Sequence, residues 1–462
     1  MAKKFKNKKR NRYENEFNNK KEIIMAKKII LLSLCAFFCL VSAKAQSVND
    51  RAFHLENGYN LNETIPIVRY HQGYNLMVST YEKSFRSIFV LADNNQARHI
   101  IELPSKHYVY DFEILGNMLY FCGEKVNSST HSCPIYGTLD LQAFRINPSN
   151  VVMIIDTIPF PRDESRLNKM VVYNYNGSPI VMAIGYGEDM DNVIGNINGI
   201  DFLFRYEPNL SNTDLALLPG ERYHDIVETA SYIALVGAKI NNTNNIGFRK
   251  IDKANQSSVI RDYFYSCDFL HPEPLTYIVG ECLQSSDKIV IATFATIDGT
   301  DGTIIRKYDT RRMVMYDSHF IPSIWGKTQP YELKHIYGTD KLLMVQSSTA
   351  GTETLIFHLD INHSNDYSTI YEYYQDWYFY SLDRFNYPGY IATGYSANYP
   401  VYLVNDANNL GTCSSQVPIT IESTEDYDLH GVHLPITFNQ ITLGSIPAPS
   451  SSAIVNFNID CP

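Results

Sequence analysis

Four-residue apolar runs recur along this chain at spacings of roughly 45–60 residues, each set between turn residues. They are Asn75-Leu76-Met77-Val78, Met118-Leu119-Tyr120-Phe121, Ile180-Val181-Met182-Ala183, Ile233-Ala234-Leu235-Val236, Ile289-Val290-Ile291-Ala292, Leu342-Leu343-Met344-Val345 and Tyr390-Ile391-Ala392-Thr393. Continuous apolar runs of this length predict strands buried on both faces, since a strand with one wet face alternates apolar and polar positions. Several of the runs end in glycine, at Gly123, Gly185, Gly237 and Gly394.

A more polar strand precedes each run across a turn, clearest at 111–115 before Gly116-Asn117, at 225–227 before Thr229-Ala230-Ser231, at 333–336 before Gly338-Thr339-Asp340, and at 382–385 before Tyr387-Pro388-Gly389. A third strand follows each run, at 88–91, 139–141, 202–204, 247–251, 303–305, 355–357 and 401–403. A fourth can be placed only in some repeats, for example at 151–155 and 370–374. No stretch keeps a helical period. The expectation is therefore an all-β chain of up-and-down meanders, about four strands to a unit.

Units of this kind over residues 60 to 410 resemble a β-propeller, in which four-stranded blades stack around a central channel. Seven blades are expected, with six or eight accommodated if the weak first repeat supplies only a closing strand. The chain has no Trp-Asp dipeptide, kelch glycine pair or sialidase-type aspartate box, so the resemblance is to a secreted propeller repeat protein and to no named propeller family. Residues 413–462 fall outside the repeat. Three strand-like runs there, at 418–422, 435–443 and 453–459, are expected to close the ring or to flank it as a small β module.

The N-terminus changes the compartment and the charge. Met25-Ala26-Lys27-Lys28 is a short cationic head, 29–41 an apolar run of signal-peptide length, and Ala43-Lys44-Ala45 a small-x-small cleavage pattern. Residues 1–45 are thus expected to be a leader and signal peptide that is removed, with 46–412 forming the propeller. Leu34 and Phe38 before Cys35 and Cys39 do not fit a lipoprotein anchor, and no later segment is long and apolar enough for a membrane helix. Taking the 12 basic and 3 acidic residues of 1–45 from the whole-chain 39 and 49 leaves a formal charge of −19, which argues against nucleic acid and anionic lipid as partners. The ending Ala43-Lys44-Ala45-Gln46 and the Tyr- and Asn-rich composition resemble exported proteins of the Bacteroidota. A monomer in the periplasm or at the cell surface is expected.

Six cysteines remain after residue 45. In an oxidising compartment they are expected to form disulfides; six allow 15 pairings, of which the simplest joins Cys122 with Cys133, Cys267 with Cys282, and Cys413 with Cys461. Zinc is not expected, because no CxxC or Cys-His cluster at ligand spacing occurs.

Candidate chemistry is sparse. His71, Asp111, His224, Asp225, His335 and Asp383 recur at similar places in the polar first strands and are expected to ring the channel, as ligand groups or simply as the lining of a wet pore. Tyr371, Tyr373, Tyr374, Trp377, Tyr378 and Tyr380 make the densest aromatic cluster, suited to stacking on a sugar face or to packing between blades. Asp189 and Asp191 in one loop, and Asp298 and Asp301 in its later counterpart, are oxygen-rich enough for calcium, although such residues are also ordinary in turns. No nucleophile elbow, zinc-peptidase motif or phosphate loop occurs. The expected function is a binding protein of the bacterial envelope for a glycan or a protein, without a required cofactor. A glycoside hydrolase or lyase working in the channel mouth is the alternative.

Overall fold

A computed structural model describes the chain from residue 50 to 459, except 56–64, 94–97, 148–150, 189–198, 209–211, 240–241, 255–258, 261–262, 268–277, 284–285, 324–327, 337–340, 349–352, 361–369, 386–388, 397–398, 406–414, 419–421, 424–428, 434–435, 447–451, 455–456 and a few single positions. For several outer strands, including 50–55, 259–267, 370–375, 399–405, 415–433 and 452–459, the backbone alone is described.

The described strands fall into seven sheets, numbered here one to seven from the one that holds Val68–His71 to the one that holds Trp377–Arg384. Each is an antiparallel meander whose second strand is one of the apolar runs: Leu76–Glu82, Met118–Ser128, Ser178–Glu188, Tyr232–Lys239, Lys288–Ile297, Lys341–Ser348 and Tyr390–Ser396. These strands are apolar throughout because both faces of each sheet are covered; Ile289, Val290, Ile291 and Ala292 are all at most 1% exposed. The core is accordingly divided among the sheet interfaces. Phe89 and Leu91 of sheet one pack with Phe112 and Phe121 of sheet two, and so on around the ring, until Val68 and Met77 of sheet one meet Phe385 and Ile391 of sheet seven. Seven such interfaces close the circle, and the chain is a β-propeller.

Closure is made by hydrogen bonds as well as packing. Sheet seven takes its fourth strand from the other end of the chain: Asp50–Leu55 pairs antiparallel with Tyr399–Asn405. Residues 415–459 then make a belt around the outside. Ser415–Pro418 joins the edge of sheet six, Glu422–Ser423 sheet five, Leu429–His433 sheet four, Ile436–Gln440 sheet three, Gly444–Ile446 sheet two, Ser452–Ile454 sheet one, and Phe457–Ile459 pairs with Asp50–Leu55 in sheet seven. The belt therefore visits the sheets in the reverse of chain order, advancing five to eight residues per sheet. Instead of the three strand-like runs expected, there are seven very short strands. Each is paired through main-chain bonds with the edge it joins, and such bonds need no side-chain pattern. Among the described belt side chains, Phe438 is 5% exposed in the core between sheets three and four, with the Arg205 guanidinium 4.3 Å from its ring centroid, and Ile441 and Leu443 pack against the core between sheets two and three.

One short helix, Leu141–Ile146, interrupts the β pattern among the described residues. Asp140 caps it by accepting from the Ala143 N–H at 2.9 Å, and Leu141 and Phe144 are buried. Six residues are too few for a helical period to register in sequence. No helix among the described residues is long and apolar enough to cross a membrane.

Two of the expected disulfides are not formed. Cys122, Cys133 and Cys282 are free thiols. Cys122 pairs with Tyr136 and Cys133 with Lys125, so the two cysteines lie three residues out of register on neighbouring strands and face opposite sides of the sheet. Cys282 is buried between sheets four and five on an inner strand, whereas Cys267 belongs to the fourth strand of sheet four, far out along the blade. Cys413 and Cys461 lie outside the described residues.

Candidate functional site

The innermost strand of each sheet faces the axis, and most of these strands are irregular at one point. Ladder registers shift between Val109 and Asp111, Leu167 and Lys169, Tyr223 and Asp225, Pro330 and Glu332, and Phe379 and Ser381. The extra residue in each bulge is Tyr110, Asn168, His224, Tyr331 or Tyr380, and all five line one cavity. The glycines at the ends of the second strands explain how four of these bulges fit. Gly123, Gly185, Gly237 and Gly394 lie opposite them, where a Cβ would collide with the carbonyl oxygens of Tyr108, Arg166, Arg222 and Tyr378 respectively.

That cavity is one mouth of the channel, about 440 Å³ in volume and lined by all seven sheets. Tyr331 and Tyr380 meet edge to face with ring centroids 4.8 Å apart. Tyr110 donates to Glu124 at 2.5 Å, and its ring lies 5.4 Å from the Arg166 guanidinium. The Arg222 guanidinium lies 4.2 Å from the Tyr186 ring. His224 is held neutral near pH 7: burial first, and Arg222 second, lower its pKa to about 4. A groove of about 320 Å³ continues outward from this mouth between sheets two and three, sharing Arg166 and Tyr186 and lined by Ser128, His131, Ser132 and Glu164.

Deeper along the axis lies a second compartment of about 500 Å³, also reached by all seven sheets and dominated by charge. Arg69 of sheet one binds Asp111 at 3.2 Å and Glu113 at 3.1 Å on sheet two, and Glu332 at 2.8 Å on sheet six. Lys334 lies 3.4 Å from Glu332 and 4.0 Å from Glu281. Burial alone would raise the Glu332 pKa, but Arg69, Lys334 and Lys169 outweigh it and bring it down to about 2. Glu281 goes the other way. Its burial outweighs Lys334 and Arg384 and lifts its pKa to about 7, while Asp111, buried beside Lys169 and Arg69, rises to about 6.

Several of these acids join neighbouring blades. Asp111 accepts from its own neighbour Phe112 N–H at 3.0 Å and from Met170 N–H of the next sheet at 2.9 Å. Asp225 repeats the pattern with Ile226 at 2.9 Å and Gly280 at 2.8 Å, and Asp383 with Arg384 at 2.8 Å and Tyr70 at 2.7 Å. Glu332 accepts from Leu382 N–H at 3.0 Å and from the Ser381 hydroxyl. The recurrence of acids in the polar strands is in this respect a device for sealing the ring.

The sequence-predicted residues thus separate. Asp111 and His335 line the charged compartment and His224 lines the mouth, whereas the His71 ring bonds the Gly116 carbonyl at 2.6 Å and stacks on Tyr74, outside both cavities. The aromatic cluster is split between two sheets. Tyr371, Tyr373 and Tyr374 belong to Ile370–Gln375, an outer strand of sheet six, while Trp377, Tyr378 and Tyr380 begin the innermost strand of sheet seven; of these Tyr380 reaches the mouth. Asp189, Asp191 and Asp298 lie outside the described residues, and Asp301 accepts from the Thr296 hydroxyl at 2.7 Å within its hairpin. No group of three or more metal-ligating side chains is gathered among the described residues. Tyr110, Asn168, Tyr331, Arg166, Arg222 and Tyr186 carry no mark in the sequence, although the glycines opposite the bulges locate two of them, Tyr110 and Asn168. Comparison with protein-family models and with curated proteins finds no match to the chain.

Proposed function

We propose that this chain is a secreted binding protein of the bacterial envelope, and that it takes a glycan in the mouth of its channel. The observation that carries the proposal is the bulged ring. Five sheets each turn one side chain, three of them tyrosines, into a cavity of about 440 Å³, a volume suited to one or two sugar rings. Tyrosine rings offer flat apolar faces for the C–H side of a sugar, and Asn168 and His224 offer directional hydrogen bonds for its hydroxyls. Beneath the mouth, Asp111, Asp225, Asp383 and Glu332 are taken up by main-chain N–H groups, which supports binding over chemistry.

Calorimetry of the purified chain against a panel of neutral and charged oligosaccharides, with parallel assay of reducing and unsaturated ends, tests this. Saturable binding without product is expected, and Tyr331→Ala or Tyr380→Ala should weaken it about tenfold, the loss expected for removal of one stacking ring. Product release would make the protein a carbohydrate-active enzyme and turn attention to Glu281, whose pKa of about 7 suits proton transfer at neutral pH. Absence of any glycan binding would overturn the proposal in favour of a protein partner.

A further inference from the structure

The mouth and the compartment beneath it differ in charge. In the deeper compartment cations and anions are interleaved, whereas the mouth is lined by Arg166 and Arg222; Lys169 and Glu332 are shared with the compartment below, where Lys169 faces Asp111 and Asp225 and Glu332 is bound by Arg69 and Lys334. The chain as a whole carries a formal charge of −10. A cationic concavity on an acidic protein draws anions to that one place and away from the remaining surface.

Two of these cations are also fixed in orientation. The Arg166 guanidinium stands over the Tyr110 ring at 5.4 Å and that of Arg222 over the Tyr186 ring at 4.2 Å. Each guanidinium also hydrogen-bonds the hydroxyl of its tyrosine, and its planar fork of five N–H donors keeps others for a carboxylate beside the ring. Arg222 is also steadied by Asp201, with Nε 3.6 Å from Oδ1, while its side chain stays 42% exposed. Arg166 is exposed and, among the described residues, has no carboxylate at ion-pair distance. Each tyrosine and its arginine thus present an apolar face next to a pair of charged donors.

Resting on the glycan-binding reading above, we propose that the ligand is an acidic glycan of the uronate type: the carboxylate of one sugar is held by Arg166 and Arg222, and that sugar's apolar face lies against the mouth tyrosines. The groove between sheets two and three begins at Arg166 and Tyr186 and receives the next sugar. Glu164 lines that groove, and Glu124 and Glu188 line it with their carboxylates bonded to the hydroxyls of Tyr110 and Tyr186. The adjoining sugar is therefore uncharged, since a second uronate would face these acids.

The test uses matched pairs of oligosaccharides, uronate-bearing xylan, pectin and alginate fragments and their carboxyl-reduced counterparts, titrated into the full chain at two ionic strengths. At least one fragment carrying a single uronate should bind about tenfold or more tighter than its reduced counterpart, as expected for a charge-assisted pair, and the advantage should shrink with salt. Arg166→Gln with Arg222→Gln should abolish that advantage, so that the acidic and reduced forms bind alike. These side chains are largely exposed, and an unaltered melting temperature checks the fold. Equal binding of acidic and reduced forms, insensitive to the double variant, would overturn the acidic preference and leave the glycan reading standing. Failure of every acidic fragment alongside binding of a neutral one would have the same meaning, whereas failure of both sets would remove the glycan reading as well.

Discussion

Glu281 and Glu332 sit in the same charged compartment, and Lys334 touches both, yet their proton affinities part by several pH units. The difference is one of company. Glu332 holds Arg69 at 2.8 Å and two neighbouring donors, whereas Lys334 stands 4.0 Å from Glu281, too far to offset burial. The signs of their pH effects follow. Glu281, raised from 4.5 to about 7, holds its proton more tightly in the folded state, so its contribution to stability is greatest below pH 4.5 and is lost as pH rises through 7. Glu332, lowered from 4.5 to about 2, contributes stability above pH 4.5 that is lost on acidification towards 2. Glu281→Gln should therefore gain on the parent chain between pH 4.5 and 8 by on the order of 1–3 kcal/mol, measured as the difference in denaturant unfolding at the two ends of that range. A constant difference across the range would mean that Lys334 keeps Glu281 ionised.

At the scale of the strand, the site is made by the pairing of a glycine with a bulge. Gly237→Ala puts a methyl group against the Arg222 carbonyl, so that either the inner strand moves or the His224 bulge is expelled. Overpacking of this kind costs about 1–3 kcal/mol and should appear as a lower melting temperature together with weaker ligand binding; an unchanged protein would show that the bulge does not depend on the glycine. The same pairing shows where sequence reading stops. Apolar runs such as 289–292 announce buried strands because continuous hydrophobicity has few other causes, and the second and third strands are where the sequence places them except at 139–141, where the strand ends at Asp140 and Leu141 opens the helix. Tyr110 and Tyr331 carry no such mark, since a bulge is defined by the partner strand; the signal was Gly123 across the ladder, and at Tyr331 even this is missing, because Gln346 stands opposite. The run from Tyr371 to Tyr380 is divided for the opposite reason, its proximity in sequence spanning the step from an outer strand of one sheet to the innermost strand of the next.

For the whole molecule, the belt decides how the sheets end. Without it, six of the fourth strands and Asp50–Leu55 would present unpaired N–H and C=O groups on seven edges, each a template for pairing with another chain. Removal of 413–462 takes Phe438 from the core between sheets three and four but leaves the seven meanders, and it should make the protein self-associate more than the full chain, visible as concentration-dependent light scattering. A truncated chain that stays monodisperse would reduce the belt to decoration. Because the belt retraces the ring backwards, the last described strand, Phe457–Ile459, lies beside the first described one, Asp50–Leu55, which is itself clamped against Tyr399–Asn405. Each meander can form while the ribosome is still at work, but the first strand must wait, unpartnered, for some 350 further residues before its place in sheet seven exists. Contacts so distant along the chain make folding slow and late, and a nascent chain interrupted before Tyr399–Asn405 is an open ring, with an apolar sheet face at each side of the gap for a chaperone or protease to find.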